Sequence, residues 1–172
     1  MRKLLFNTIK AALLTIVDEN EESVIKHIDR WNNQLQYAEQ EQPFEYPAVF
    51  IEFAPITWQP LQRGIREANV QITLHVVTDS RVGSWSDTIK VFEFLDTIHA
   101  ALHGLHVTEE KRTIDTLRHL QSVTDPEFDE LEDNRETYTC HVTDATAYPI
   151  LWQSSEHITF EVGAEVQHPA TS

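Results

Sequence analysis

The sequence is poor in cysteine and in positive charge, and it lacks a long hydrophobic run. Cys140 is the only cysteine, so no intramolecular disulfide can form and an oxidising compartment is not indicated. Only 13 basic residues face 28 acidic ones, and the resulting net charge of −15 disfavours binding to nucleic-acid phosphates or anionic membranes. The apolar residues near the amino terminus are interrupted by Asn7, Thr8 and Lys10 and are followed by no small-residue cleavage site. A cytoplasmic origin is therefore expected.

Motifs that define common enzyme classes are also missing. The sequence contains no phosphate-binding loop, no dinucleotide fingerprint and no C-x-x-C pair. The run "GSWSD" at 83–87 lacks the second glycine of a hydrolase nucleophile elbow, and the acidic run at 125–133 lacks the central glycine of a calcium loop. Cys140 lies in an alternating run typical of a strand, where a small packed side chain is expected. The sequence therefore predicts no catalytic residue and no cofactor.

Histidines give the one pattern that favours a different reading. Asp96, His99, His103 and His106 form D-x-x-H-x-x-x-H-x-x-H, and His99 and His103 are one helical turn apart. However, alanine occupies the position where a zinc protease has its glutamate, and Gly104 ends the helix before His106. We expect a polar helix flank and no metal site, and a small metal-dependent enzyme remains the alternative.

Hydrophobic periodicity predicts two helices and a series of strands. The first helix is expected at 3–17 and the second from a cap at Ser84 or Ser86 to Gly104, with Ile89, Phe92, Leu95, Ile98 and Leu102 as its apolar stripe. Strands are expected at 24–31, 46–58, 65–78 and 136–145, and 113–124 is ambiguous but favours a strand. This order predicts an α+β fold, a mainly antiparallel β-sheet with two α-helices packed on one face. We expect one domain at 1–145 and a carboxyl-terminal extension at 146–172 that adds an edge strand through Ile158, Phe160 and Val162.

Residues 69–80 alternate regularly enough to assign each side chain to a face. Val70, Ile72, Leu74 and Val76 should point into the core. Their neighbours form a polar second face together with the matching strand at 136–145, and we expect that face to contact another subunit. Its candidate interface residues, with a tryptophan that lies near the end of a strand, are Gln71, Thr73, His75, Thr139, His141 and Trp58.

The order of elements resembles that of phage and prophage tail terminator (tail completion) proteins. The resemblance rests on the amino-terminal helix, "YPAVFIEF" after a polar loop, "GIREANVQITLHVVTDS", "DTIKVFEFLDTIHAALHGL" and "SVTDPEFDELEDNRETYTCHVTDA", and it covers about residues 1–145. It implies a structural protein without catalytic residues that forms a homo-oligomeric, hexameric ring. Such a ring caps the tail tube and joins it to the head connector, so the tube protein and the connector protein would be partners. A minor tail or head-completion protein is the alternative.

The resemblance gives the acidic charge a role. The protein would lie in the virion tail, after assembly in the host cytoplasm, and DNA would pass through the ring without specific binding. Acidic side chains that face the channel would repel phosphates. We expect a solvated acidic turn at 125–134 to line this lumen, through Asp125, Glu127, Asp129, Glu130, Glu132 and Asp133.

Overall fold

The computed structural model describes residues 1–33, 35, 44–81, 83–125 and 131–147. Two helices, α1 (Arg2–Leu13) and α2 (Thr88–Leu102), accompany one mixed sheet. The eight strands of this sheet are β1 (His27–Arg30), β2 (Ala48–Phe53), β3 (Gln59–Pro60), β4 (Arg66–Asp79), β5 (Val107–Glu109), β6 (Arg112–Ile114), β7 (Arg118–Asp125) and β8 (Leu131–Asp144). The α+β prediction is thereby confirmed. Within the described ranges, neither helix is long and apolar enough to cross a membrane.

The two longest strands form the centre of the sheet. β4 and β8 pair antiparallel along their whole length, and the strand order is β1-β2-β4-β8-β6-β5. β3 pairs with β4, whereas β1 pairs with β2 in the parallel sense. β6 pairs with 142–144 of β8 and β7 with 133–139. Because β4 occupies the opposite edge of β8, β6 and β7 follow one another along its remaining edge.

Both helices cover the same face of the sheet, as the sequence predicts. Buried apolar residues of α1, α2, β4 and β8 belong to one hydrophobic cluster. This face is hereafter the helical face, and the opposite one is the far face. The most buried members of the cluster on the helical face include Leu5, Ile9, Leu13, Ile98, Leu102, Val70, Ile72, Leu74, Val76 and Tyr138.

The register of α2 differs from the predicted one. Its buried residues are Val91, Phe94, Ile98 and Leu102, whereas Ile89 and Phe92 are exposed. Apolar side chains occupy both flanks of this helix, so spacing alone selected the wrong flank for its first two turns. The cap is also different, because the Asp87 carboxylate, and not a serine, accepts a hydrogen bond from the Ile89 amide at 3.0 Å. Gly104 does stop the helix in a left-handed conformation, with φ of 83°.

Other boundaries shift for local reasons. Helix α1 ends at Leu13, four residues early, because the chain turns around the Asp18 carboxylate, which accepts hydrogen bonds from the amides of Asn20 and Glu22. The 113–124 segment is extended, as favoured, but it divides into the end of β6 and most of β7. Strand β8 begins at Leu131, five residues before the predicted start. The extension predicted at 146–172 lies, from residue 148 onward, outside the described residues.

Candidate functional site

The far face of the sheet carries most of the predicted interface residues, and it has two unlike halves. In the closed half, buried Leu35, Ala48, Phe50 and Val77 form a small second cluster, flanked by Trp31, Phe44, Tyr46 and Leu131. In the open half, Gln71 lies beside Thr139 and Thr73 beside Thr137, with exposed or half-buried side chains. The sequence predicted one continuous polar face. Aromatic side chains from outside β4 and β8 cover half of it.

His75 belongs to the closed half and is 3% exposed, so it lies on no free surface of the chain, contrary to the prediction. Its Nδ1 contacts Asp133 Oδ2 at 3.0 Å, and its Nε2 contacts Glu52 Oε2 at 3.2 Å. The imidazole also stacks on Trp31, with ring centroids 3.7 Å apart and planes within 4°. Two carboxylates and one aromatic ring therefore fix the orientation of His75.

Asp133 is the centre of this buried polar network. Its side chain is fully buried, and its Oδ2 also accepts a hydrogen bond from Arg135 Nε at 2.8 Å. Arg135 pairs in addition with Asp125. Burial alone would lower the pKa of Arg135, but the hydrogen bond to Asp133 and the charges of Asp133, Asp125 and Glu52 raise it above its usual range. The guanidinium therefore remains charged beside the buried Asp133 carboxylate.

The acidic turn that we expected to be solvated is not solvated at Asp133. This residue lies inside β8 and is bound to Arg135 and His75, so in the folded chain it is not available to line a channel. Asp125 ends β7 and is held by Arg135, whereas Glu132 is half-buried. Three further lumen candidates, Glu127, Asp129 and Glu130, lie outside the described residues. The error arises because β8 begins at Leu131, inside the acidic run. Side chains alternate between the two faces of a strand, so the Asp133 carboxylate points inward.

The open half brings together four of the predicted interface residues. Gln71 is exposed, and Thr139 Oγ1 donates to the Val70 carbonyl at 3.1 Å. His141 is 38% exposed and sits between two carboxylates, Glu67 at 3.5 Å and Asp115 at 3.4 Å. A depression of about 420 Å³ lies beside it, lined by Asn69, Asp115, Thr116, Arg118, Thr139, Cys140 and His141. This half is polar and partly exposed to solvent.

Trp58 does not join this group. Its ring is half-buried and packs against the cluster of the helical face. The Arg66 guanidinium lies 4.4 Å from the ring centroid, and Arg66 also binds Asp144 at 2.9 Å. Trp58 therefore covers an end of the core and is not placed with the polar residues of the open half.

Histidines near α2 form a third group beside a groove between α2 and β7. The ring of His99 lies 5.0 Å from those of His103 and His119. Glu136 Oε2 accepts hydrogen bonds from His119 Nε2 at 2.6 Å and from Ser122 Oγ at 2.7 Å. The groove holds about 360 Å³ and is lined by Phe92, Leu95, Asp96, His99, His119, Ser122, Val123, Thr124, Asn134 and Glu136. No local pattern in the sequence indicates this groove, because its two walls are distant in the chain.

The groove does not assemble a metal centre from the predicted ligands. His106 turns away and contacts the Gly104 carbonyl through Nδ1 at 3.1 Å. Across the described part of the chain, no three histidine, cysteine, aspartate or glutamate side chains are grouped to hold a metal ion.

Cys140 lies apart from the groove in β8 and is 3% exposed, and burial raises the pKa of its thiol to about 12. The thiol is therefore protonated and unreactive at neutral pH.

Comparison with known proteins gives a likeness of fold. No protein-family model and no curated protein matches the sequence. Among solved structures, a chain described as "Virion of native gene transfer agent (GTA) particle" superposes with a TM-score of 0.52 at 13% identity. The alignment covers 81% of this chain and 94% of that one. A similar fold therefore occurs in a virion particle.

Proposed function

We propose that the protein is a structural component of a phage-like particle, and specifically a tail terminator whose ring caps the tail tube and offers a surface to the head connector. The observation that carries this proposal is the likeness of fold to a virion chain over 81% of this chain and 94% of that one. The order of elements that resembles tail terminators supports the finer assignment. The protein acts through surfaces and not through catalysis.

The two-sided sheet supports a role in assembly. The two helices pack on one face, whereas the far face leaves a polar, half-exposed area around Gln71, Thr139 and His141. Wet, hydrogen-bonded surfaces of this type suit contacts that form late and between already folded subunits. A ring needs two different patches on each subunit, because its contacts are heterologous. In this proposal the open half of the far face is one of them.

The net charge of −15 fits a channel for DNA. A subunit that surrounds a moving duplex must not bind phosphates, and acidic side chains keep it from doing so. Asp125 and Glu132 remain our candidates for the lumen, together with Glu127, Asp129 and Glu130, which lie outside the described residues. Asp133 is no longer part of that set.

Deleting the gene from the producing strain tests the assignment. If the protein ends tail growth, electron microscopy will show tubes of variable and excessive length without heads. If it is a head-completion protein instead, tails will have uniform length and will be detached from heads. Gold labelling of a tagged, functional chain should mark the head-proximal end of the tail. Normal particles without the gene, or label in the capsid or at the tail tip, would contradict the proposal.

A further inference from the structure

Strand β7 leaves one long edge of the sheet open. It pairs with β8 over 118–125, and among the described residues no other strand pairs with it. An unpaired edge of eight residues exposes backbone donors and acceptors that favour the addition of another strand. Natural sheets protect such edges with lysine, proline or a covering segment. Within β7 there is neither lysine nor proline, and Leu120 and Val123 are 58% and 43% exposed.

The groove beside this edge offers an apolar wall. Phe92 on α2 is 52% exposed, and Leu95 next to it is half-buried. Three consecutive residues of β7, from Ser122 to Thr124, form the other side. In the floor, Asn134 is 2% exposed and its Nδ2 has no hydrogen-bond partner. A strand added to β7 would extend the groove and place alternate side chains against α2.

We propose that this edge receives the segment 158–162 of a second copy of the same chain. Ile158, Phe160 and Val162 alternate with Thr159 and Glu161, so an added strand would present one apolar and one polar side. The apolar side faces Phe92 and Leu95. The polar side continues the far face.

Charge supports this occupant. β7 begins with Arg118 and His119 and carries no acidic residue before Asp125. The incoming segment contributes Glu161, and Glu156 lies two residues before the segment. The contact is heterologous, since an edge at one place receives a segment from another, and repetition of such contacts gives a ring when the rotation between subunits closes. The inference rests on the proposed function only in that a second copy supplies the strand.

Disulfide trapping of the full-length chain tests the proposal. The native Cys140 is buried and unreactive, so it can remain. Chains carrying Val123→Cys are mixed with chains carrying Thr159→Cys or, one step along the strand, Glu161→Cys, and are oxidised. The control replaces Val123→Cys by Leu61→Cys, which is equally exposed at 46% but lies before β4. Heterodimer yield should exceed the control by at least about tenfold in one of the two pairings.

Further variants separate the outcomes. Phe160→Asp in the Thr159→Cys and Glu161→Cys chains should abolish the cross-link, because the apolar side no longer fits. Yields equal to the control in both pairings would overturn the proposal. A chain that carries both Val123→Cys and Thr159→Cys is the second test. If it forms only an intrachain disulfide at all protein concentrations, the proposal is overturned too, since the segment then covers its own β7. If gold labelling marks the head-proximal end of the tail but no cross-link forms, this inference alone fails. If the chains cross-link but are absent from particles, the proposed function alone fails.

Discussion

The two faces of the central sheet are built on different principles. The helical face buries a large apolar cluster beneath α1 and α2, with Leu74 and Tyr138 fully buried. Only one half of the far face is closed, by a few aromatic rings and a buried set of charges around Asp133. Apolar burial is non-directional, whereas the charge network fixes each partner in place. The helical face therefore supplies apolar stabilisation, whereas the charge network of the far face fixes the positions of the side chains that form it.

Replacing Phe50 by alanine tests whether the closed half is a second core. Phe50 is fully buried against Phe44 and Trp31, so its loss should lower the free energy of unfolding by about 3–5 kcal/mol. Leu74→Ala on the helical face should cost about 2–5 kcal/mol. Urea denaturation measures both. A cost below about 1 kcal/mol for Phe50→Ala would mean that the closed half collapses without penalty.

Asp133→Asn removes the charge of the network while keeping its shape. Arg135 and His75 then face a neutral amide in a buried site, so stability should fall by about 1.5–3 kcal/mol. The neighbouring Glu132→Gln, at a half-buried position, is the matched control and should change stability by less than about 0.5 kcal/mol. If denaturation curves show the same loss of stability for both substitutions, the charge of Asp133 contributes no more to the free energy of unfolding than that of Glu132.

Asp144 places a charge at the end of the helical face. Burial would raise the pKa of this carboxyl, but hydrogen bonds from the Thr146 hydroxyl, Arg66 and the Thr146 amide lower it to about 2 from the ordinary 3.8. A depressed pKa contributes stability above the unfolded value that is lost as the pH falls through the folded one. Asp144→Asn should therefore cost about 1–2 kcal/mol at neutral pH, since Arg66 is half-exposed.

The same variant makes the pH dependence measurable. The stability difference between wild type and Asp144→Asn should be constant from neutral pH down to about pH 5 and fall by about half near pH 3. Chemical denaturation at several pH values provides the measurement. A difference that grows on acidification would contradict the assigned sign.

Local patterns predicted one face of the sheet well and the other in part. Alternation along β4 correctly assigned Val70, Ile72 and Leu74 to the core, because a period of two has a single solution once one side is apolar. The other side depended on what the rest of the chain places over it. Trp31 covers His75, and no local signal in β4 reports that contact.

The candidate site shows the same limit. The sequence predicted that Gln71 and Thr139 share a face, and they are direct neighbours across β4 and β8. It also predicted a solvated Asp133, because a run of acidic residues resembles a turn whether or not a strand begins inside it. The groove between α2 and β7 could not be predicted, since Phe92 was assigned to the buried stripe of α2. Long-range pairing, not composition, decides such cases.

Gln71→Ala has the smallest expected effect on the fold and sharpens the contrast between the two halves of the far face. The side chain is exposed, so the free energy of unfolding should change by less than about 0.5 kcal/mol. If the open half contacts a neighbouring subunit, incorporation of the variant into particles should nevertheless weaken about fivefold, which corresponds to about 1 kcal/mol. Gln59→Ala, exposed on β3, is the control and should assemble normally. Quantitative mass spectrometry of particles from cells that express wild type and variant together gives the ratio, and equal incorporation of all three chains would remove Gln71 from the interface.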